Sequence, residues 1–140
     1  MAGPLGTRLL KLEIGTDEVT AQVSRAVVTS AESSSDFTSF ADAAAGGARE
    51  YKLEFTAVQD TTTGTIWDQI WTSAGSEVAC TYMPYGNVAP SLTEPHFTFT
   101  AVVTEPDGDF LGGEANASTT ARFTFDGVWP LNAKPVKVTA

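Results

Sequence analysis

The sequence predicts a mainly β protein: an antiparallel β-sandwich or barrel with one flanking α-helix and one long hairpin loop. Several runs alternate apolar and polar side chains with a period of two, the pattern of half-buried strands. Residues 61–74 alone carry the helical period, and no strand–helix–strand rhythm of a parallel sheet is present. The connections between the runs are mostly of hairpin length, as in all-β folds.

The first strand is read over residues 8–14, with Leu10, Leu12 and Ile14 on one side, Lys11 and Glu13 on the other, and Gly15-Thr16-Asp17 as the turn. A second run, 18–29, starts with Val19, Ala21 and Val23 in phase and then slips around Ser24-Arg25, where Ala26, Val27 and Val28 are apolar in succession. A bulge or burial on both faces explains the slip. Residues 50–59 alternate strictly, Tyr51, Leu53, Phe55 and Ala57 against Lys52, Glu54 and Thr56. The two runs form a hairpin whose tip, residues 30–49, is long for a connection and reads as a functional loop.

The helix begins in a Thr cluster and carries Ile66, Trp67, Ile70, Trp71 and Ala74 as one apolar stripe, packing on the sheet. Gly75 follows, suited to a left-handed helix end. At about twelve residues such a helix is marginal alone, so the sheet must cover its indoles. Val78, Cys80 and Tyr82 then alternate up to a turn at Pro84-Tyr85-Gly86-Asn87. Beyond a Pro-broken connection, Phe97, Phe99, Ala101 and Val103 form the clearest strand face, with His96, Thr98 and Thr100 opposite. After a turn-rich loop, residues 119–126 place Ala121, Phe123 and Phe125 inward with Arg122 and Thr124 outward. Trp129-Pro130 is read as an interruption before a closing strand at 135–139.

With 140 residues, 42% hydrophobic and 18% charged, the chain reads as one domain covering residues 1–140. Eight basic against seventeen acidic residues give a net charge of −9, which disfavours a grip on phosphate backbones. No apolar run has the length of a membrane span, and the first residues lack the layout of a secretory signal. The lone Cys80 has no internal disulfide partner and reads as a small core residue.

Catalytic and metal patterns are weak. The single His96 is read as a surface strand residue, and no Gly-x-Ser-x-Gly elbow is present, so no catalytic residue and no enzyme activity is expected. One His and one Cys make no zinc set, and Glu105-Pro-Asp107-Gly-Asp109 lacks the distal bidentate Glu of a calcium loop. No cofactor or metal is expected. Trp67, Trp71 and Trp129 as a sugar-stacking platform is the alternative to core packing.

The order of parts resembles the major tail tube proteins of long-tailed bacteriophages. The resemblance covers nearly the whole chain: LLKLEIGTDEVTAQVSRAVVTSAE, the hairpin with its long loop, IWDQIWTSAGSEVACTYMPYG, and PHFTFTAVVTEPDGDFLGGEANASTTARFTFDGVWPLNAKPVKV. In that family a W-x-x-x-W helix precedes a Gly-Ser/Glu-Val strand, and a Gly-Gly-Glu/Asp-Ala turn precedes a final Phe-rich strand. The resemblance implies a structural virion protein with a flanking helix, made in the host cytoplasm and assembled as hexameric rings that stack into a tube. Its partners are then copies of itself and the tape measure, tail terminator and tail tip proteins, with DNA passing through unbound and no membrane involved.

Carried onto this chain, residues 30–49 become the ring-stacking loop, with Ser33, Ser34, Ser35, Asp36, Phe37, Phe40 and Asp42 as its contact residues. The outward face of the hairpin, with Gln22, Lys52, Glu54 and Thr56, is expected to face the lumen and to be acidic overall. Some relatives carry an additional immunoglobulin-like domain at the C-terminus, and none is expected here, where the sequence runs to Ala140. Alternative readings are a carbohydrate- or receptor-binding β-sandwich, a capsid decoration protein and, last, a hydrolase that uses His96.

Overall fold

The computed structural model describes residues 5–32, 37, 39–45 and 49–140. Two antiparallel sheets pack face to face. In chain order the elements are β1 (Lys11–Ile14), β2 (Asp17–Glu18), a 3-10 turn (Thr20–Gln22), β3 (Val23–Glu32), α1 (Phe40–Ala44), β4 (Arg49–Val58), α2 (Ile66–Ser73), β5 (Glu77–Met83), β6 (His96–Val102), β7 (Thr124–Pro130) and β8 (Val136–Val138). The first sheet has the order β2-β1-β5-β6-β8 and the second β3-β4-β7.

Alternation sets which face is buried. Ile14 pairs with Cys80 and Cys80 with Phe99, while Val78 pairs with Ala101, so one inner face of the first sheet is apolar across its width. From the second sheet Leu53, Phe55, Ala57, Phe125 and Trp129 meet it. The centre is an aromatic packing in which Phe55 lies edge-on to Trp129 (centroids 5.1 Å) and to Phe125 (5.9 Å), all three buried. Gly127, opposite Phe55 in the ladder, makes room for it: a Cβ on Gly127 would clash with Cζ, Cε1 and Cε2 of the Phe55 ring.

Three expectations are corrected. Residues 19–22 do not extend the second strand. Val19 is buried, but the next three residues turn as a 3-10 helix and leave Ala21 exposed. The slip at Ser24-Arg25 is a bulge, since Val23 pairs with Ala57 and Arg25 with Thr56, which leaves Ser24 over and brings Ala26 and Val28 inward opposite Phe55 and Leu53.

The last strand of the second sheet is shifted. It runs over Thr124–Pro130 with Phe125, Gly127 and Trp129 inward, so Trp129 and Pro130 belong to it, while Phe123 is half-exposed and Ala121 exposed. Pro130 is tolerated because β7 is an edge. The Leu131 N–H bonds to the Tyr51 carbonyl, so in the alternating ladder Pro130 lacks its N–H on the side away from β4.

His96, expected at the surface, is 7% exposed, with Nε2 3.0 Å from the Asn87 carbonyl. The connection between β5 and β6 folds over that outer face of the strand. No helix among the described residues is long and apolar enough to cross a membrane.

Candidate functional site

The hairpin of β3 and β4, ten residues each, carries the long tip and is paired in register up to Glu32 and Arg49. Within the tip the chain forms a single helical turn, α1. Its start is fixed locally by a capping box in which Ser39 Oγ accepts from the Asp42 N–H (3.1 Å) and Asp42 Oδ2 accepts from the Ser39 N–H (3.3 Å). Asp42, expected as a contact residue, is thus also the brace of the turn. The same turn presents Phe40 to solvent at 97% exposure, and Phe37 is 74% exposed. Ser33, Ser34, Ser35 and Asp36 lie outside the described residues.

The outward face of the second sheet is read from its register. Arg25, Thr56 and Asp126 form one row, Val27, Glu54 and Val128 the next, and Thr29, Lys52 and Pro130 the third, with Glu50 beyond. Thr56 Oγ1 donates to Asp126 Oδ1 at 2.6 Å. Lys52, Glu54 and Thr56 therefore share one face, as expected. Gln22 does not: it sits on the 3-10 turn, and its Oε1 accepts from the Ile66 N–H at 2.7 Å, satisfying a donor at the start of α2. Two cations against three carboxylates leave the face acidic by a single charge, so most of the net −9 lies elsewhere in the chain.

Helix α2 is shorter than expected, eight residues, and starts at a Thr65 cap whose Oγ1 accepts from the Asp68 N–H at 3.2 Å. Ile66, Trp67 and Ile70 are buried as expected, and the Trp67 indole N–H donates to the Phe110 carbonyl at 2.8 Å. Trp71 departs from the expectation of burial. It stacks on Trp67 (5.1 Å, 15° between planes) and leans on Phe110 (5.3 Å), but is 54% exposed, because at about 100° per residue it stands beyond Trp67 at the outer edge of the stripe. Trp129 is fully buried in the core, so the three indoles form no common platform.

An apolar cleft of about 450 Å³ opens where β3 leaves the sandwich, between that edge and the inner face of the first sheet, and is lined by Leu5, Val28, Tyr82, Phe97 and Pro135 with Lys134 at its margin. Tyr82 spans it, its hydroxyl donating to the Ala26 carbonyl at 2.9 Å, and burial raises the Tyr82 pKa. Burial also pushes the Cys80 thiol up to about 12, which keeps it protonated and unreactive. A second, smaller cleft between residues 104–109 and β7 is lined by Glu105, Asp107, Asp109 and Asp126. Among the described residues no three His, Cys, Asp or Glu side chains converge as metal ligands.

No protein-family model matches the chain, and no curated protein matches it either. Sequence reasoning located the arm and its aromatic residues but missed α1, although Ser39-Phe40-Ala41-Asp42 carries the S-x-x-D signature of a capping box. The cleft had no signal along the chain, because Val28, Tyr82, Phe97 and Pro135 meet only when the two sheets stack.

Proposed function

We propose that this protein is a self-assembling structural subunit, of the kind its sequence resembles, which forms hexameric rings that stack into the tail tube of a long-tailed bacteriophage. The observation that carries the reading is Phe40, a large apolar side chain 97% exposed on a turn braced by its own capping box, at the tip of two ten-residue strands. Among the described residues Phe40 is covered by almost nothing of its own chain. A braced, exposed Phe suits burial against another molecule, where full coverage is worth about 1.5–3 kcal/mol. Six copies per ring multiply a contact that is modest in one.

In this reading residues 30–49 contact the next ring, and Lys52, Glu54 and Thr56 on the outward sheet face line the bore. A wall with carboxylates in slight excess holds few phosphates, and each phosphate not held removes a release step from DNA passage. The edges β3 and β7 suit pairing with neighbouring subunits, a heterologous contact that closes by rotation. The tape measure, terminator and tip proteins are then the other partners, the virion tail is the location, and no catalysis or cofactor is called for.

Negative-stain microscopy of the purified protein is the test. Tubes from the unaltered chain and none from Phe37→Ala with Phe40→Ala support the reading, and tubes of normal length from the double variant overturn it. A second reading, a carbohydrate-binding module, draws on the half-exposed Trp71 stacked on Trp67. Glycan-dependent quenching of Trp fluorescence that is lost in Trp71→Ala would favour it.

A further inference from the structure

We infer that the apolar cleft beside β3 is the socket for the α1 hook of a second copy of this chain, so that Phe40 of one subunit seats between Val28, Tyr82, Phe97 and Pro135 of the next. The inference rests on the self-assembly reading and names the surface that the arm engages.

Hook and socket match in size and chemistry. The cleft, about 450 Å³ and mostly apolar, accommodates an aromatic ring together with the small residues that flank Phe40, namely Ala41, Ala43 and Ala44. Lys134 stands at the cleft margin, while the hook carries Asp42 and no cation.

Chain length favours a second copy as the occupant. Arg49 follows Ala44 by five positions along the chain, so the return leg holds the hook within about 18 Å of the hairpin's end. Ser30 and Tyr51, which pair two rungs below Arg49, line the cleft themselves. A subunit's own cleft is thus within reach of its arm, yet Phe40 is 97% exposed rather than seated among the described residues of that cleft. Because hook and socket are different surfaces, each copy gives one and receives one, and the contact repeats head to tail rather than closing as a dimer.

Paired cysteines test this without touching Phe40. Ala41→Cys and Lys134→Cys are both at exposed positions, and the native Cys80, 2% exposed, stays silent. Under mild oxidation with copper phenanthroline, the full chain carrying both substitutions should give a ladder of dimers, trimers and higher species on a non-reducing gel. Either single variant should stop at dimer. A fast-migrating, internally linked monomer would overturn the proposal by showing that the arm closes on its own cleft. Tubes by negative stain with no ladder would overturn the socket while leaving self-assembly standing, and absence of both tubes and ladder would overturn both.

Discussion

Gly127→Ala tests the packing at the centre of the sandwich. A Cβ at this position would meet three atoms of the Phe55 ring, Cζ, Cε2 and Cε1, the last two at 2.7 and 2.9 Å. The ring has no room to retreat, because Trp129 and Phe125 hold it edge-on and are 0% and 3% exposed. Overpacking of this kind costs about 1–3 kcal/mol. Replacing a strand glycine by alanine returns about 0.5–1 kcal/mol of backbone entropy. The net expectation is a loss of about 1–2 kcal/mol, read as a fall of about 0.5–1 M in the urea midpoint at unchanged slope. Gly108→Ala, where an added Cβ meets nothing within 4 Å, is the control and should move the midpoint little. Phe55→Leu combined with Gly127→Ala should cost less than the two single changes together, since the smaller side chain vacates the contested space. A Gly127→Ala protein as stable as the unaltered chain, or strictly additive costs, would refute the packing argument.

Gln22→Ala leaves the buried Ile66 N–H without its side-chain acceptor and should cost about 1–3 kcal/mol in chemical denaturation, whereas Gln22→Glu, which keeps an acceptor, should cost less. Raising pH should erode stability: burial raises the pKa of both Cys80 and Tyr82, so the stability tied to their protonated forms is intact below pH 9 and is lost as pH rises, for Cys80 towards about 12. Denaturation midpoints measured from pH 7 to 11 check this, and Tyr82→Phe should flatten part of the decline while costing about 0.5–1.5 kcal/mol at pH 7. Trp71, 54% exposed against 5% for Trp67 and 0% for Trp129, should account for most iodide-quenchable Trp fluorescence, so Trp71→Phe should leave emission largely resistant to iodide.

Much of the fold was legible because its strands obey a period of two over a shared core. Leu12 and Ile14, Leu53 to Ala57, and Phe99 to Ala101 are buried in the phase that alternation dictates. The bulge at Ser24 was legible for the same reason, as a break in that phase. The failures occurred where tertiary contacts overrode the local pattern. Phe123 continues the alternation but lies ahead of the paired part of β7, which instead runs on in the same phase to Trp129, a residue that packs on Phe55 and donates its indole N–H to the Thr104 carbonyl at 3.2 Å. His96 alternates with Phe97 and so reads as outward, yet the preceding connection covers it through Asn87. Gln22 looks like a strand residue on the hairpin face, and only the approach of α2 makes it a partner of the Ile66 N–H. In the arm, Phe37 and Phe40 are exposed on a tip whose length along the chain already marked it as a loop, whereas the cleft required both sheets in place.

Sedimentation velocity of the full-length protein across a hundredfold concentration range, alongside Phe40→Ala, addresses self-assembly most directly. The account predicts large, ring-derived species that grow with concentration for the unaltered chain and a folded, slowly sedimenting species for the variant. An unaltered chain that remains a monomer at the highest concentration, or a variant that assembles as readily, would contradict it.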